Sequence, residues 1–145
     1  MMKCLVTTST VCLLLGIGAA QADIGQIKNV SGDVSIMREG VQVAAQVGGR
    51  LEQNDIISTG TDGSVGMTFI DNTRFSAGPD SRIELSRFRF NSTTHEGEFL
   101  TDIRKGTLAV TSGQIAKQSP DAMKVRTPTS VLAVRGTKFL VKVND

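Results

Sequence analysis

Histidine, cysteine and strong net charge are all scarce in this sequence. His95 is the single histidine, and it stands in the polar run N-S-T-T-H-E-G. A metal centre built from imidazole and thiolate needs more ligands than that. The two cysteines, Cys4 and Cys12, both fall in an N-terminal stretch with the features of a secretory leader. The domain expected after that leader therefore has no disulfide and no thiol chemistry. The formal net charge is +2, and it becomes +1 once Lys3 is removed with the leader. A balance so close to neutral gives no electrostatic case for nucleic acid or for an anionic membrane surface. No segment after the leader is apolar enough to span a bilayer. There is also no G-x-S-x-G nucleophile elbow and no D-x-D-x-D calcium loop. No cofactor is expected.

Met1 to Ala22 carries the parts of a cleavable signal peptide. Lys3 supplies the positive start, Val11 to Ala20 is apolar and uncharged, and Ala20-Gln21-Ala22 is an A-x-A site that places the new N-terminus at Asp23. A membrane anchor is the rival, but this apolar core is about half of the roughly 20 residues that a spanning helix needs. A lipid anchor at Cys12 is disfavoured because Val11 is larger than the small residue normally found before such a cysteine. Residues 23–145 are then expected as one domain, in the periplasm or secreted. A chain of that size buries about two-thirds of its surface and folds without staples.

What is present is β-pattern. Val34 to Ala45 reads as a hairpin around Arg38-Glu39-Gly40, with Val41, Val43 and Ala45 alternating against Gln42, Ala44 and Gln46. A connection through Gln53-Asn54-Asp55 feeds a strand at Ile56 to Thr59. The chain then repeats itself. Ile57-S-T-G-T-D-G-S-Val65-G-Met67 aligns without gaps with Phe75-S-A-G-P-D-S-R-Ile83-E-Leu85, at an offset of 18 residues. Strand, Gly/Asp corner and second strand thus occur twice, as stacked β-coils would require. Asp71-Asn72 forms the tight reversal between the copies. Asn91 to Gly97 is an exposed loop, and Phe99 to Val110 is a strand with Gly106 inside it. Ser112-Gly113 and Lys117 to Ala122 form the last loop, and no helix is expected outside the leader. Frequent Gly and Asp corners among Ile, Val, Thr and Phe argue for an all-β fold.

The closing stretch is the most informative. T-P-T-S-V-L-A-V-R-G-T-K-F-L-V, from Thr127 to Val141, resembles the signature end of the FecR domain. F-I-D-N-T-R-F-S-A-G-P-D-S-R-I-E-L, from Phe69 to Leu85, is similar to that family's inner segment, with Asn72 where the family usually has Gly. Asn tolerates the left-handed conformation better than most residues, so that turn is expected to survive. The resemblance runs from about Val30 to Val143. It implies an exported all-β module, a single β-solenoid-like roll of short strands, with a β-sandwich as the alternative. In the family's iron-uptake regulators such a domain relays a signal from an outer-membrane receptor to a cytoplasmic sigma factor. Those regulators also carry an anti-sigma segment, a membrane helix and a further periplasmic segment. None of these is expected here, so the relay is not carried over whole.

Few residues stand out as chemistry. Asp62, Asp71 and Asp80 occupy turn positions, where Asp bonds its own backbone. No acid pair has the spacing of a polysaccharide hydrolase, so an enzyme is not expected. Arg87-Phe88-Arg89-Phe90 is best explained by one strand with Phe facing the core and Arg facing water. Arg135 in V-R-G-T would bind a carboxylate or phosphate, or pair internally to hold the closing strands. Lys138 and Lys142 protect the last strand's edge from pairing with other chains. Arg135, Arg87 and Arg89 are therefore the candidate partner-binding residues. The expected function is a non-catalytic binding or scaffold module of the bacterial envelope, with an unknown envelope protein or glycan as partner. The alternatives are an enzyme acting on envelope polysaccharide and a structural subunit of an envelope complex.

Overall fold

The computed structural model describes residues 22–119, 121–134 and 138–144. Strands dominate: β1 (Gly25–Ser31), β2 (Val34–Arg38), β3 (Val41–Ala44), β4 (Arg50–Leu51), β5 (Ile56–Thr59), β6 (Ser64–Phe69), β7 (Arg74–Ala77), β8 (Arg82–Phe90) and β9 (Gly97–Thr111) come first. A short helix α1 (Gln114–Gln118) follows, and then β10 (Met123–Arg126), β11 (Val131–Ala133) and β12 (Lys138–Val143). Their order in the sheet is β3-β2-β5-β8-β9-β7-β6-β1-β4, with β10 and β12 also pairing with β9, and β11 with β10. The fold is all-β, one curled sheet rolled into a half-barrel, antiparallel except where β10 runs parallel to β9.

The roll follows from strand β9, which belongs to both arms of the sheet. Its first part pairs with β8 and β10, and its second part, from Gly106, pairs with β7 and β12. One arm is therefore β3, β2, β5, β8, early β9, β10 and β11. The other is β4, β1, β6, β7, late β9 and β12. Each chain segment that crosses between the arms turns a corner, and the corners touch one another. The Gly60 N–H donates to the Asp33 carbonyl at 2.8 Å, the Asp80 N–H to the Gly60 carbonyl at 3.1 Å, and the Gly78 N–H to the Thr107 carbonyl at 3.0 Å. The Thr59 hydroxyl adds a bond to the Gly78 carbonyl at 2.7 Å and accepts from the Ser81 N–H at 2.8 Å. The repeated Ser-x-Gly-x-Asp pattern is thus the sequence imprint of this seam. Its two copies pair edge to edge, β5 with β8 and β6 with β7.

Local chemistry explains the reversals. Glu39 and Gly40 both have positive φ, as a two-residue hairpin turn between β2 and β3 demands. Asn72 has φ of 70°. Its left-handed turn is closed by the Asn72 N–H on the Phe69 carbonyl at 2.9 Å. Gly106 has φ of 93°, and a Cβ there would lie 2.2 Å from Ser81 Oγ. At that position β9 bends from one arm into the other, and the corner after β7 is packed directly against it.

Inside the roll the phenylalanines gather. Phe99 lies 4.7 Å from Phe69, 5.3 Å from Phe75 and 4.8 Å from Phe88 between ring centroids. Ile27, Leu51, Ile57, Met67, Ile83 and Leu108 surround them, fully buried. The last strand alternates as expected, with Val141 buried, Phe139 and Val143 half-buried, and Lys138, Leu140 and Lys142 outside.

One expectation is corrected. The stretch after β9 holds the helix Gln114–Gln118. Five residues are too few to show helical periodicity in sequence. Tertiary contacts hold this turn: Ile115 and Ala116 are buried, the Gln114 N–H donates to the Asp71 carbonyl at 2.8 Å, and the Ile115 N–H reaches Asp71 Oδ2 at 3.4 Å.

Candidate functional site

Arg87 and Arg89 project from β8 into solvent, while Phe88 is buried and Phe90 half-buried. A β-bulge between Leu85 and Arg87 makes this possible, because Leu85 and Phe88 both point inward although they are three residues apart. Arg87 Nη1 is 3.3 Å from Glu98 Oε1, and both side chains are about half exposed. Arg89 stands opposite Glu98 in the β8–β9 register. The two arginines thus share a mixed-sign surface. Arg135, with Gly136 and Thr137, lies outside the described residues. His95 is in the exposed turn after β8, its ring 6.1 Å from that of Phe90.

Acids occupy holding positions. Asp62 Oδ1 accepts the Asp33 N–H at 3.3 Å, across the corner seam. Asp71 is buried and accepts the Thr73 hydroxyl at 2.7 Å as well as the bond from Ile115. Asp80 is a corner residue with φ of 53°. Asp102 lies on β9, where it bonds the Ser86 hydroxyl and receives two bonds from Arg126, that from Nη2 at 2.8 Å. The Arg126 guanidinium holds the Asp102 carboxyl below the usual carboxylate range. Partial burial opposes this, and the Ser86 hydroxyl supports it.

Asp55 was not legible as special. It is fully buried and takes the Arg38 guanidinium in a fork, Nε on Oδ1 at 2.9 Å and Nη2 on Oδ2 at 2.7 Å. The pair keeps Arg38 more basic than usual, mainly through that hydrogen bond. Among the described residues no group of three or more His, Cys, Asp or Glu side chains is placed to hold a metal ion.

The charges are segregated between the two arms. The β8–β9–β10 side carries acids next to bases: Arg87 with Glu98, Arg104 with Glu84, and Arg126 with Asp102. The strands of the other arm, β1, β4, β6, β7, late β9 and β12, contain no aspartate or glutamate at all. They contain Lys28, Arg50, Arg74, Lys138 and Lys142. Arg50 meets Asp23 at 3.2 Å. Lys28, Arg74, Lys138 and Lys142 are exposed and have no ion-pair partner among the described residues.

A groove of about 640 Å³ lies on the outer side of this arm. It crosses β1, β6, β7 and β9, roughly 14 Å at ordinary strand spacing. Gly66, Ser76 and Ala109 are register neighbours and form its floor. Thr68, Arg74 and Thr111 form the next row, and Lys28 and Asn29 close the β1 end. Leu140 and Lys138 extend the two rows onto β12, opposite Ala109 and Thr111. No motif announces these residues. An acid count by strand does not single them out either, since β2, β3, β5, β10 and β11 also lack Asp and Glu, and nothing local shows that β1, β6, β7 and β12 share one face.

No curated protein and no solved structure matches the chain. The family model described as FecR protein matches residues 55–145, from the buried Asp55 through the closing strand. The preceding strands are integral to the same sheet, since β1 pairs with β6 and β2 with β5. With the greater part of its length matched, and with the strand–corner–strand repeat and the closing strands folded as one roll, the chain belongs to the FecR protein family.

Proposed function

We propose that this protein is an exported, non-catalytic FecR-like module that binds a partner in the bacterial cell envelope. Residues 1–22 are its cleavable leader and residues 23–145 its single domain, working in the periplasm or outside the cell. Membership of a family of periplasmic, signalling-related domains supports the setting. Among the described residues no helix is long and apolar enough to cross a membrane. The observation that carries the reading is the groove lined by Lys28 and Arg74, on an arm whose strands hold no acid and where both cations lack an ion-pair partner among the described residues. Arg38, Arg87, Arg104 and Arg126 of the other arm pair with acids, whereas Lys28 and Arg74 in the groove have no ion-pair partner among the described residues, so their charge is available for something outside the chain. Arg87 and Arg89, on the mixed-charge arm, and Arg135 are secondary contact residues in this proposal.

The test is affinity capture from envelope extract with the chain from Asp23 onward as bait. Reproducible recovery of a protein or glycan that is lost on charge reversal of Lys28 and Arg74 is the expected result. Recovery of nothing above a folded control would overturn the reading. Co-purification at fixed stoichiometry that survives the charge reversal would point to a structural subunit.

A further inference from the structure

Resting on that reading, we infer that the groove across β1, β6, β7 and β9 binds an extended, carboxylate-bearing polysaccharide. Charge gives the sign of the ligand. Lys28 and Arg74 line the groove, Lys138 continues the Arg74 row, and no acid on the neighbouring strands offsets them. The guanidinium fork of Arg74 suits a planar carboxylate, and the unpaired ammonium groups supply point charges on either side.

The floor gives the class. A peptide laid on it would find no backbone partners, because β6 is paired on both edges by β1 and β7, and β9 by β7 and β12. An extended peptide would instead add to a free edge. A single-stranded nucleic acid wants aromatic platforms for its bases. Phe75 is the one aromatic residue that lines this groove, and it offers no platform, since it is 2 % exposed with its ring packed against Phe69 and Phe99 inside the roll. A flat anionic bilayer does not enter a trough. What the surface does offer is a shallow channel of small residues edged by short polar groups, the Asn29 amide and the Thr68, Ser76 and Thr111 hydroxyls. These donate and accept in any order, as a hydroxyl-rich chain requires. Gly66 keeps the channel open beside Asn29, whose amide nitrogen would lie 2.6 Å from any Cβ at that position.

The experiment uses polygalacturonate as probe, in affinity electrophoresis and titration calorimetry at low salt. Dextran, poly-glutamate, an oligonucleotide and anionic vesicles are run alongside. The expected result is binding to polygalacturonate and not to dextran, weakening as salt rises. Lys28→Gln/Arg74→Gln is expected to weaken it at least tenfold. Ser76→Trp, which fills the channel without changing charge, is expected to do the same with an unchanged melting curve. Lys105→Gln/Lys124→Gln, on the other arm, is expected to bind like the parent. Equal binding to poly-glutamate or the oligonucleotide would overturn the polysaccharide assignment. So would vesicle binding that survives Ser76→Trp. Wild-type affinity in both groove variants would overturn the location. If the parent binds no polygalacturonate yet captures an envelope partner that Lys28→Gln/Arg74→Gln loses, the inference fails while the binding-module reading stands. Capture lost together with polysaccharide binding supports both.

Discussion

Arg38 and Asp55 stand 17 residues apart in sequence and form the most enclosed charge pair among the described residues. The carboxylate has no exposure at all, and besides Arg38 it accepts the Glu52 N–H at 2.9 Å. Removing the cation leaves a buried charge with one backbone donor. Arg38→Met is expected to lower unfolding stability by about 3 kcal/mol, the low end of what breaking a buried pair costs. Urea unfolding checks it, and a loss below about 1 kcal/mol would show that water reaches the site. Asp102 gives a different signature. Its carboxyl is held below the usual range by Arg126, so its contribution to stability is fully present above the unfolded value of about 3.9. That contribution is lost as pH falls through the lower folded value. The stability difference between the parent and Asp102→Asn is therefore expected to be constant near neutrality and to shrink below about pH 4. Melting curves from pH 7 down to the acid limit test this, and a difference that grows on acidification would contradict it.

Elements are set by corners as much as by strands. Gly106 is where β9 leaves one arm for the other, and its φ of 93° suits glycine alone. A side chain there meets Ser81, with Cα only 2.4 Å from the added carbon. Gly40 also has positive φ, but nothing lies within 4 Å of its would-be Cβ. Gly40→Ala is expected to cost about 1 kcal/mol, from the left-handed backbone alone. Gly106→Ala is expected to cost at least about 3 kcal/mol, because strain and backbone collision add. Equal midpoints in denaturant would refute the packed-seam account. At this scale the sequence was largely readable. Asn72 takes the left-handed turn, Glu39-Gly40 makes the hairpin reversal, and the Ser-x-Gly-x-Asp repeat marks two corners of the seam. The helix at Gln114–Gln118 was not readable, because its stability comes from Asp71, 44 residues from Ile115.

The whole molecule reverses what composition suggests about charge. A net charge near zero gave no electrostatic case for a polyanion. In the fold, acids and bases alternate on one arm while the other arm holds only bases on its strands. Such a surface presents a local positive field over the groove even though distant charges cancel in the sum, because screening confines each charge to about 8–10 Å. The chain from Asp23 onward is expected to be retained on a cation-exchange resin at pH 8 and low salt, more strongly than its near-neutral sum implies. Lys28→Glu/Arg74→Glu is expected to abolish most of that retention, whereas Arg87→Glu/Arg89→Glu is expected to reduce it less. Flow-through of the parent protein would show that the cations do not act together.

Sequence by itself determined the strands, the corners and the family, because each rests on interactions within a few residues. Alternation decides which face of a strand is buried, Gly and Asn decide where the chain can turn left-handed, and T-P…R-G-T…F-L-V marks the end of a FecR domain. The tertiary structure alone decided which strands lie side by side, and with them every long-range pairing. Arg38 finds Asp55, Arg126 finds Asp102, and Lys28 and Arg74 find no acid on the strands around them. Neutralisation depends on distance through space, which a linear pattern does not encode. The groove and its unpaired cations therefore exist only once β9 bends at Gly106 and the two arms separate the charges.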